Sequence, residues 1–315
     1  MGAESSSFRP KRGPSDSPDA PSKKRLPVGD EKSPTDPEDA ITKEEIQGTE
    51  LPSDKQPSKA GNVRSAFTEL MAPKPKPKTD SAKPATGTKP FAGRDGLGLY
   101  VTKGEKLPAG SSVFMTPDFI AIPDMYPKAT VHCLLLPRQP DKTLTHPFDA
   151  FEDAEFLPRT RREAEKLKDL VARELQRQVG EHSAAEAGRR AVLDGDAEPE
   201  LDEDGKPVIP GGRDWRKEVK VGVHAHPSMN HLHVHVISRD MHSDRLKIRK
   251  HYNSFTTEFF VPLADFPLAK DDPRRHQASW HEQPMVCWRC GRDFGNKFKE
   301  LKKHLDEEFD EWKRE

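Results

Sequence analysis

Three histidines at alternate positions, His231, His233 and His235, are the residues of this chain best suited to chemistry. On a β-strand such residues project from one face, about 7 Å apart for each step of two residues. The residues between them are apolar, so the opposite face of the strand should contact a core. Neighbouring imidazoles on such a strand are costly unless they are paired or used. The cluster therefore predicts either a metal site or a histidine nucleophile with positioning neighbours.

The flanking segments favour nucleophilic catalysis. Upstream, His224 and a Pro-Ser-Met-Asn turn at 227–230 bring hydroxyl and backbone donors close to the strand. Downstream lie basic side chains that can hold phosphate oxygens by charge-assisted hydrogen bonds, namely Arg245, Lys247, Arg249 and Lys250. Neutral imidazole attacks phosphorus, and the labile phosphoramidate divides one difficult hydrolysis into two easier steps. A metal-dependent hydrolase is the weaker alternative, since few carboxylates accompany the histidines.

A Cys-x-x-Cys turn near the C-terminus predicts a structural metal site. Cys287 and Cys290 are followed by His304, on a predicted helix that begins near Asn296. A second histidine one turn later would complete a common zinc finger, but position 308 is glutamate. Because residues i and i+4 share a helix face, Glu308 can reach the same ion, and a carboxylate is an acceptable zinc ligand. We expect one closed, tetrahedral, structural zinc site.

Short strands and one long helix should position these groups. Strands are predicted at 112–115, 119–122, 130–137, 219–224 and 232–238. A capping box at Thr160–Glu163 predicts a helix that ends at Gly180. Its apolar face carries Leu167, Leu170, Val171, Leu175 and Val179. The acidic, glycine-rich segment 181–214 is typical of a surface insertion. The predicted fold class is α+β.

The composition excludes order along the whole chain. Of 315 residues, 32% are hydrophobic, 33% are charged and 30 are prolines, which leaves too little apolar surface to fold the full length. Residues 1–90 hold few large apolar side chains apart from an island at 66–71, so we expect a disordered arm. Basic clusters at 11–12 and 23–25 have the spacing of a bipartite nuclear import signal. No apolar run is long enough to span a membrane, and we expect a soluble nuclear protein.

At the histidine strand the sequence resembles the histidine-triad (HIT) superfamily, whose signature stands here as His-Leu-His-Val-His-Val-Ile at 231–237. The segment Asp124–His132 is similar to the nucleotide-binding turn and strand of that superfamily. Two further segments resemble the narrower aprataxin branch: Gly-Val-His-Ala-His-Pro-Ser-Met at 222–229 and His-Tyr-Asn-Ser-Phe-Thr at 251–256. The C-terminal finger strengthens that likeness. The similar region covers about 95–260.

The resemblance implies a HIT catalytic domain over 91–265, with a mostly antiparallel sheet flanked by helices and the insertion at 181–214. It also implies a zinc-finger DNA-binding domain over 266–315. The implied activity is hydrolysis that removes AMP from 5′-adenylated DNA ends, the products of abortive ligation. DNA would be the partner and AMP a product, and repair proteins could bind the N-terminal arm.

The resemblance also implies a role for each residue of the site. His233 would attack phosphorus and become transiently adenylated, without a metal at the catalytic histidines. His235 would bond the phosphate, and His231 would orient the others. His224 would help the 5′-phosphate to depart. The implied nucleotide and DNA contacts are Ser228 and Lys128 on phosphate, Asp124 on the ribose, Lys247 and Lys250 in the basic loop, Phe91 as a stacking aromatic, and Lys297 and Lys302 on the finger helix.

Other interpretations stay open at this point. Asp124 also suits a simple turn. We interpret His132, on an apolar strand, as a core histidine with satisfied hydrogen bonds, and Cys133 as a small buried hydrophobe. The family aromatic directly precedes an Arg-Asp pair, whereas here Gly93 does and Phe91 lies two residues earlier. The alternatives in function are a general HIT hydrolase of nucleoside phosphoramidates or dinucleotides, and a non-enzymatic zinc-finger DNA-binding protein.

Overall fold

The computed structural model describes residues 93–276 and 279–315. Phe91, the predicted arm and the predicted import signal lie outside the described residues. The strands are β1 Phe114–Met115, β2 Phe119–Pro123, β3 His132–Pro137, β4 Glu200–Leu201, β5 Pro207–Val208, β6 Val219–His224, β7 Val234–Ser238 and β8 Phe260–Pro262. The α-helices are α1 Gly98–Lys103, α2 Pro140–Thr143, α3 Pro147–Ala150, α4 Phe156–Val179, α5 Ala187–Asp194, α6 Arg249–Thr256 and α7 Phe298–Trp312. None of these described helices is long and apolar enough to cross a membrane.

An antiparallel sheet with the strand order β1-β2-β3-β7-β6-β8 forms the centre of the predicted catalytic part, residues 93–265. In its middle, His132 of β3 lies opposite Ile237 of β7, and Leu134 lies opposite His235. Since directly opposed residues of antiparallel strands share a face, this register places His132 and His235 on the same side of the sheet. The predicted α+β fold with an antiparallel sheet is confirmed.

Helix α4 covers the other face of this sheet. Its buried residues Leu167, Val171 and Leu175 join a core cluster with Leu135 and Val236 of the central strands. The prediction that Leu170 belongs to this face is wrong, because 39% of its surface is exposed. One face of the sheet therefore supplies the core, and the other is left for the imidazoles.

Helix α4 begins one turn earlier than predicted. The side chain of Thr160 does not cap the helix, because its hydroxyl donates to the carbonyl of Phe156 at 2.9 Å within the first turns. The N-terminal acceptor is instead Asp153, whose Oδ1 accepts from the backbone N–H groups of Glu155 and Phe156 at 2.9 Å each. The Thr-x-x-Glu pattern was misleading because a threonine inside a helix can bond the carbonyl four residues before it.

The insertion at 181–214 is mostly exposed, as predicted, but it contains the short helix α5 and the hairpin β4–β5. Its anchor is the buried carboxylate of Glu186. One oxygen of this carboxylate accepts from Trp215 Nε1 at 2.7 Å and from the backbone N–H of Arg213 at 3.1 Å. The insertion is thus attached to the body of the domain at its base.

The finger packs directly on the catalytic part. Trp312 at the end of α7 belongs to the same core cluster as α4. The hydroxyl of Tyr252 on α6 donates to the carbonyl of Val286 at 2.9 Å and accepts from the N–H of Trp288 at 3.0 Å. Lys302 donates to the carbonyl of Ser243 at 2.7 Å. Residues 266–315 therefore share a core with the sheet rather than standing apart from it.

Candidate active site and metal centre

A cavity of about 130 Å³ opens on the face of the sheet away from α4. Six of the predicted site residues line it, namely Asp124, Lys128, His224, Ser228, His233 and His235. Apolar walls come from Leu97 and Tyr100 at α1, Ile122 of β2 and Phe255 of α6. An apolar cavity with a few convergent polar groups is the usual form of a small-ligand site. Residues from distant parts of the sequence thus form one site.

His233 is held in one tautomer by a backbone carbonyl. Its Nδ1 lies 2.7 Å from the backbone carbonyl oxygen of His231. A carbonyl can only accept, so Nδ1 carries the proton and Nε2 keeps its lone pair. Burial lowers the pKa of His233 below its ordinary value, so the ring is neutral near pH 7. His231 therefore orients the ring of His233 through its backbone carbonyl, a more specific contact than the sequence indicated.

A chain of polar contacts runs beneath the cavity from Asp124 through His132 to His235. Asp124 Oδ2 lies 3.3 Å from His132 Nδ1, and His132 Nε2 lies 3.0 Å from His235 Nδ1. His132 Nδ1 accepts from the backbone N–H of Lys128 at 3.3 Å. Burial lowers the pKa of His132 to about 4, so the ring is neutral, its single proton lies on Nε2, and Nε2 donates to Nδ1 of His235. His132 is buried and bonded, as predicted, but its partners are site residues. His132 and His235 are 103 positions apart in the sequence, and the pairing of β3 with β7 brings them together.

His224 lies at the end of β6, against His235 and Phe255. Its ring centroid is 4.3 Å from that of His235 and 4.8 Å from that of Phe255. Burial, and then the neighbouring imidazoles of His233 and His132, hold the pKa of His224 well below its ordinary value. Within 93–276 and 279–315 its Nε2 makes no hydrogen bond, so this nitrogen remains for a ligand.

Of the residues predicted to contact phosphate and ribose, some line the cavity and others lie outside it. Asp124 forms the turn that the sequence allowed, since its Oδ1 accepts from the N–H of Tyr126 at 2.8 Å. Lys128 is buried at the cavity and donates to the carbonyl of Tyr126 at 2.8 Å. Lys247 and Lys250 belong to the loop and helix beyond the lining of this cavity. Ribose and phosphate contacts by these residues stay predictions.

Four residues of the finger form a candidate metal centre. Cys287, Cys290, His304 and Glu308 each offer a ligand atom, and these atoms lie within 4.8 Å of one another. His304 Nε2 is 3.1 Å from both Cys290 Sγ and Glu308 Oε1. Arg289 Nη1 donates to the other oxygen of Glu308 at 2.5 Å and so orients this carboxylate. Two sulfurs, one imidazole and one carboxylate fit tetrahedral zinc.

Asp124, His132 and His235 also bring possible metal-ligand atoms within 4.8 Å of one another. His132 Nε2 and His235 Nδ1, 3.0 Å apart, already share a hydrogen bond, and His132 Nδ1 accepts from the N–H of Lys128 at 3.3 Å. The expectation that the catalytic histidines work without a metal stays a prediction.

Comparison with known proteins agrees with both sites. The family model described as HIT domain matches residues 109–242, and the one described as C2HE / C2H2 / C2HC zinc-binding finger matches residues 256–311. The aprataxin-like protein of Saccharomyces cerevisiae is 35% identical over 221 residues, covering 69% of this chain and 95% of the relative. The aprataxin-like protein of Schizosaccharomyces pombe is 33% identical over 219 residues, covering 70% and 82%. The chain belongs to the aprataxin family.

Solved structures support this membership of the aprataxin family. A crystal structure of an aprataxin ortholog in complex with DNA is 28% identical and covers 70% of this chain and 96% of that chain, with a TM-score of 0.53. A crystal structure of the aprataxin ortholog from Schizosaccharomyces pombe covers 69% and 92%, with 28% identity and a TM-score of 0.51. The family models, the relatives and these structures together confirm the predicted HIT fold, the nucleotide hydrolase class and the C-terminal zinc-finger region. The predicted domain boundary at 265/266 stays a prediction.

The two finger lysines predicted to contact DNA have different surroundings. Lys297 is exposed, with its Nζ 3.2 Å from Glu300 Oε1. Lys302 is half-buried, and its bond to Ser243 places its amine at the junction with the catalytic part. A DNA contact by either lysine stays a prediction, and Lys302 has a structural role as well.

Proposed function

We propose that this chain removes AMP from 5′-adenylated DNA ends in the nucleus, through a covalent intermediate on His233. The observation that carries the proposal is the bond from His233 Nδ1 to the carbonyl of His231, because it leaves Nε2 unprotonated at the cavity that Asp124, Lys128 and Ser228 also line. Buried, neutral imidazole is the form that attacks phosphorus.

In the first step, Nε2 of His233 forms a bond to the phosphorus of the AMP moiety. The bond from that phosphorus to the bridging oxygen breaks, and its electrons stay on the 5′-phosphate of the DNA. A phosphate is a weakly basic leaving group, so a hydrogen bond from the neutral ring of His224 is sufficient help. The His231 carbonyl stabilises the positive charge that develops on the His233 ring.

In the second step, water attacks the phosphorus of the histidine–AMP intermediate. The nitrogen–phosphorus bond breaks, its electrons return to Nε2, and the proton of the water is lost to solvent. AMP leaves, and His233 regains the state in which it began. His235, bonded to His132, and Ser228 line the same cavity. In this proposal their side chains bind the non-bridging oxygens.

A DNA substrate is supported by the finger and by the aprataxin ortholog that was crystallised with DNA. Remote contacts to a duplex can be used to stabilise the transition state, and a small nucleotide lacks them. A general nucleotide hydrolase of the HIT type would have no use for the finger. A non-enzymatic finger protein would have no use for the buried histidines. Nuclear location rests on the basic clusters at 11–12 and 23–25.

The test compares His233→Ala with wild type on a 5′-adenylated nicked duplex. Release of AMP should fall by several orders of magnitude, while duplex affinity and thermal stability stay close to wild type, because only the nucleophile is lost. Labelled AMP should remain attached to wild-type protein that is quenched in alkaline denaturant, where the nitrogen–phosphorus bond survives, and not to the variant. Turnover by His233→Ala above a small fraction of wild type would refute the assignment.

A further inference from the structure

A series of ion pairs connects the candidate metal centre of the finger to the insertion at 181–214. It begins at Glu308, the candidate ligand that depends most on its surroundings, because a carboxylate on a flexible side chain can present either oxygen or turn away. Glu308 Oε1 lies 3.1 Å from His304 Nε2, among the other ligand atoms. Glu308 Oε2 accepts from Arg289 Nη1 at 2.5 Å. Arg289 therefore decides which oxygen of Glu308 faces the centre.

Arg289 is held in turn by Glu315. Oε1 of Glu315 accepts from Arg289 Nε at 3.0 Å and from Arg289 Nη2 at 2.6 Å. The guanidinium group is planar and rigid, so a carboxylate that holds one of its edges also fixes the direction of its remaining nitrogen. That nitrogen is Nη1, which donates to Glu308. The two carboxylates thus hold one arginine between them.

The insertion fixes Glu315 at both of its own ends. At one end, the backbone N–H groups of Ala184 and Ala185 donate to the backbone oxygens of Arg314 and Glu315 at 2.9 and 3.1 Å. At the other end, Arg213 Nη2 lies 3.6 Å from Glu315 Oε2. Because one contact set fixes the backbone and the other approaches the side chain, the insertion determines where the carboxylate of Glu315 lies.

Arg213 is itself firmly placed. Its guanidinium lies 4.7 Å from the ring centre of Trp215 and 4.7 Å from that of Trp312, and its side chain is only 7% exposed. Contacts of this kind are strongest where the cation is shielded from water. Arg213 Nη1 also donates to the carbonyl of Trp312 at 2.7 Å. Trp312 belongs to α7, which carries His304 and Glu308, so the insertion and this helix are held against each other.

We propose that Arg289 and Glu315 are positioning residues of the metal centre, and that the insertion slows the release of zinc by fixing Glu315. Loss of any link lets the carboxylate of Glu308 turn away from the centre. Groups that orient a metal ligand commonly change metal affinity about 10- to 100-fold. This control of the metal does not depend on the substrate of the histidine site.

The test measures how fast the full-length protein loses zinc to an excess of a coloured zinc chelator. Arg289→Gln should lose zinc about 10-fold faster than wild type, at the lower end of the range for such groups. Glu315→Gln should also accelerate release, but less, because Arg289 still reaches Glu308. The matched control is Glu311→Gln, on the same helix, whose carboxylate accepts from Arg314 and lies outside this series of contacts.

The Glu308→Ala background distinguishes positioning of the ligand from general support of the finger. There, Arg289→Gln, Glu315→Gln and Arg213→Gln should no longer accelerate release, since the carboxylate that they position is gone. Equal acceleration with and without Glu308 would refute the proposal. Glu315 is half-exposed, so Glu315→Gln should fold even if Arg289→Gln does not. Release from Glu315→Gln at the wild-type rate would remove the link to the insertion, and wild type that binds no zinc would overturn the metal centre itself.

Discussion

At the scale of single residues, the proposed mechanism depends on keeping the imidazoles neutral. Burial lowers the pKa of His224, His233 and His235, and their proximity lowers the pKa of His224 and His235 further. A buried charge is costly, so each ring prefers to hold one proton only. Which nitrogen holds it is then decided by neighbours, as the carbonyl of His231 does for His233.

The role of His224 can be tested with substrates that differ in their leaving group. His224→Ala should slow formation of the histidine–AMP intermediate by about 100-fold, within the usual range for general acid help. Adenylates with less basic leaving groups should recover part of the rate, because they need less stabilisation of the departing oxygen. Rapid-quench measurement of the first turnover would report this step directly. A defect that is the same for every leaving group would instead indicate a positioning role.

At the scale of elements, the close approach of β6 and β8 sets the floor of the site. Gly222 on β6 is paired with His235 and with Pro262. A Cβ at this glycine would lie 2.4 Å from the carbonyl oxygen of Val261 and 2.7 Å from the ring of Phe260. The two strands can hold this spacing only because position 222 has no side chain.

Gly222→Ala should therefore lower the free energy of unfolding by about 3 kcal/mol, the upper part of the range for overpacking. Activity should fall as well, since the strand opposite His235 must move. The matched control is Gly188→Ala on α5, where an added Cβ meets nothing within 4 Å. That change should raise stability by up to about 1 kcal/mol through helix propensity. Chemical denaturation of both variants would decide; equal stabilities would contradict the steric argument.

The sequence predicted elements and neighbouring side chains well where the signal is local. The alternation at 231–237 predicted a strand with one chemical face, and the helical spacing of His304 and Glu308 predicted that both side chains lie beside Cys287 and Cys290. It failed where the cause is distant. Thr160 looked like a cap because the competing acceptor, Asp153, precedes the pattern. His132 looked like an ordinary core residue because its bond to His235 exists only through the pairing of β3 with β7.

At the scale of the whole molecule, the finger is part of the catalytic body. The indole of Trp312 donates to Glu218 Oε2 at 2.9 Å, and the indole of Trp288 donates to the carbonyl of Asp240 at 3.1 Å. The ring of Phe309 stacks on His242 with centroids 4.0 Å apart. From the sequence one would expect that cutting the chain before Cys287 weakens only binding to a duplex. These contacts predict a different result.

Truncation before Cys287 should impair the hydrolysis of a small adenosine phosphoramidate too, because it uncovers the core beneath α6.

Removing the metal from the finger should also destabilise the catalytic part. A chelator that extracts the expected one zinc per chain should lower the melting temperature of the catalytic part, and restored zinc should reverse the loss, since the ion stabilises only the folded finger. Cys290→Ala should behave like the chelated protein. Glu308→Ala should retain more zinc, because a water molecule replaces a carboxylate oxygen more easily than a thiolate. A catalytic part that melts at the same temperature with and without zinc would show that the finger is an independent unit.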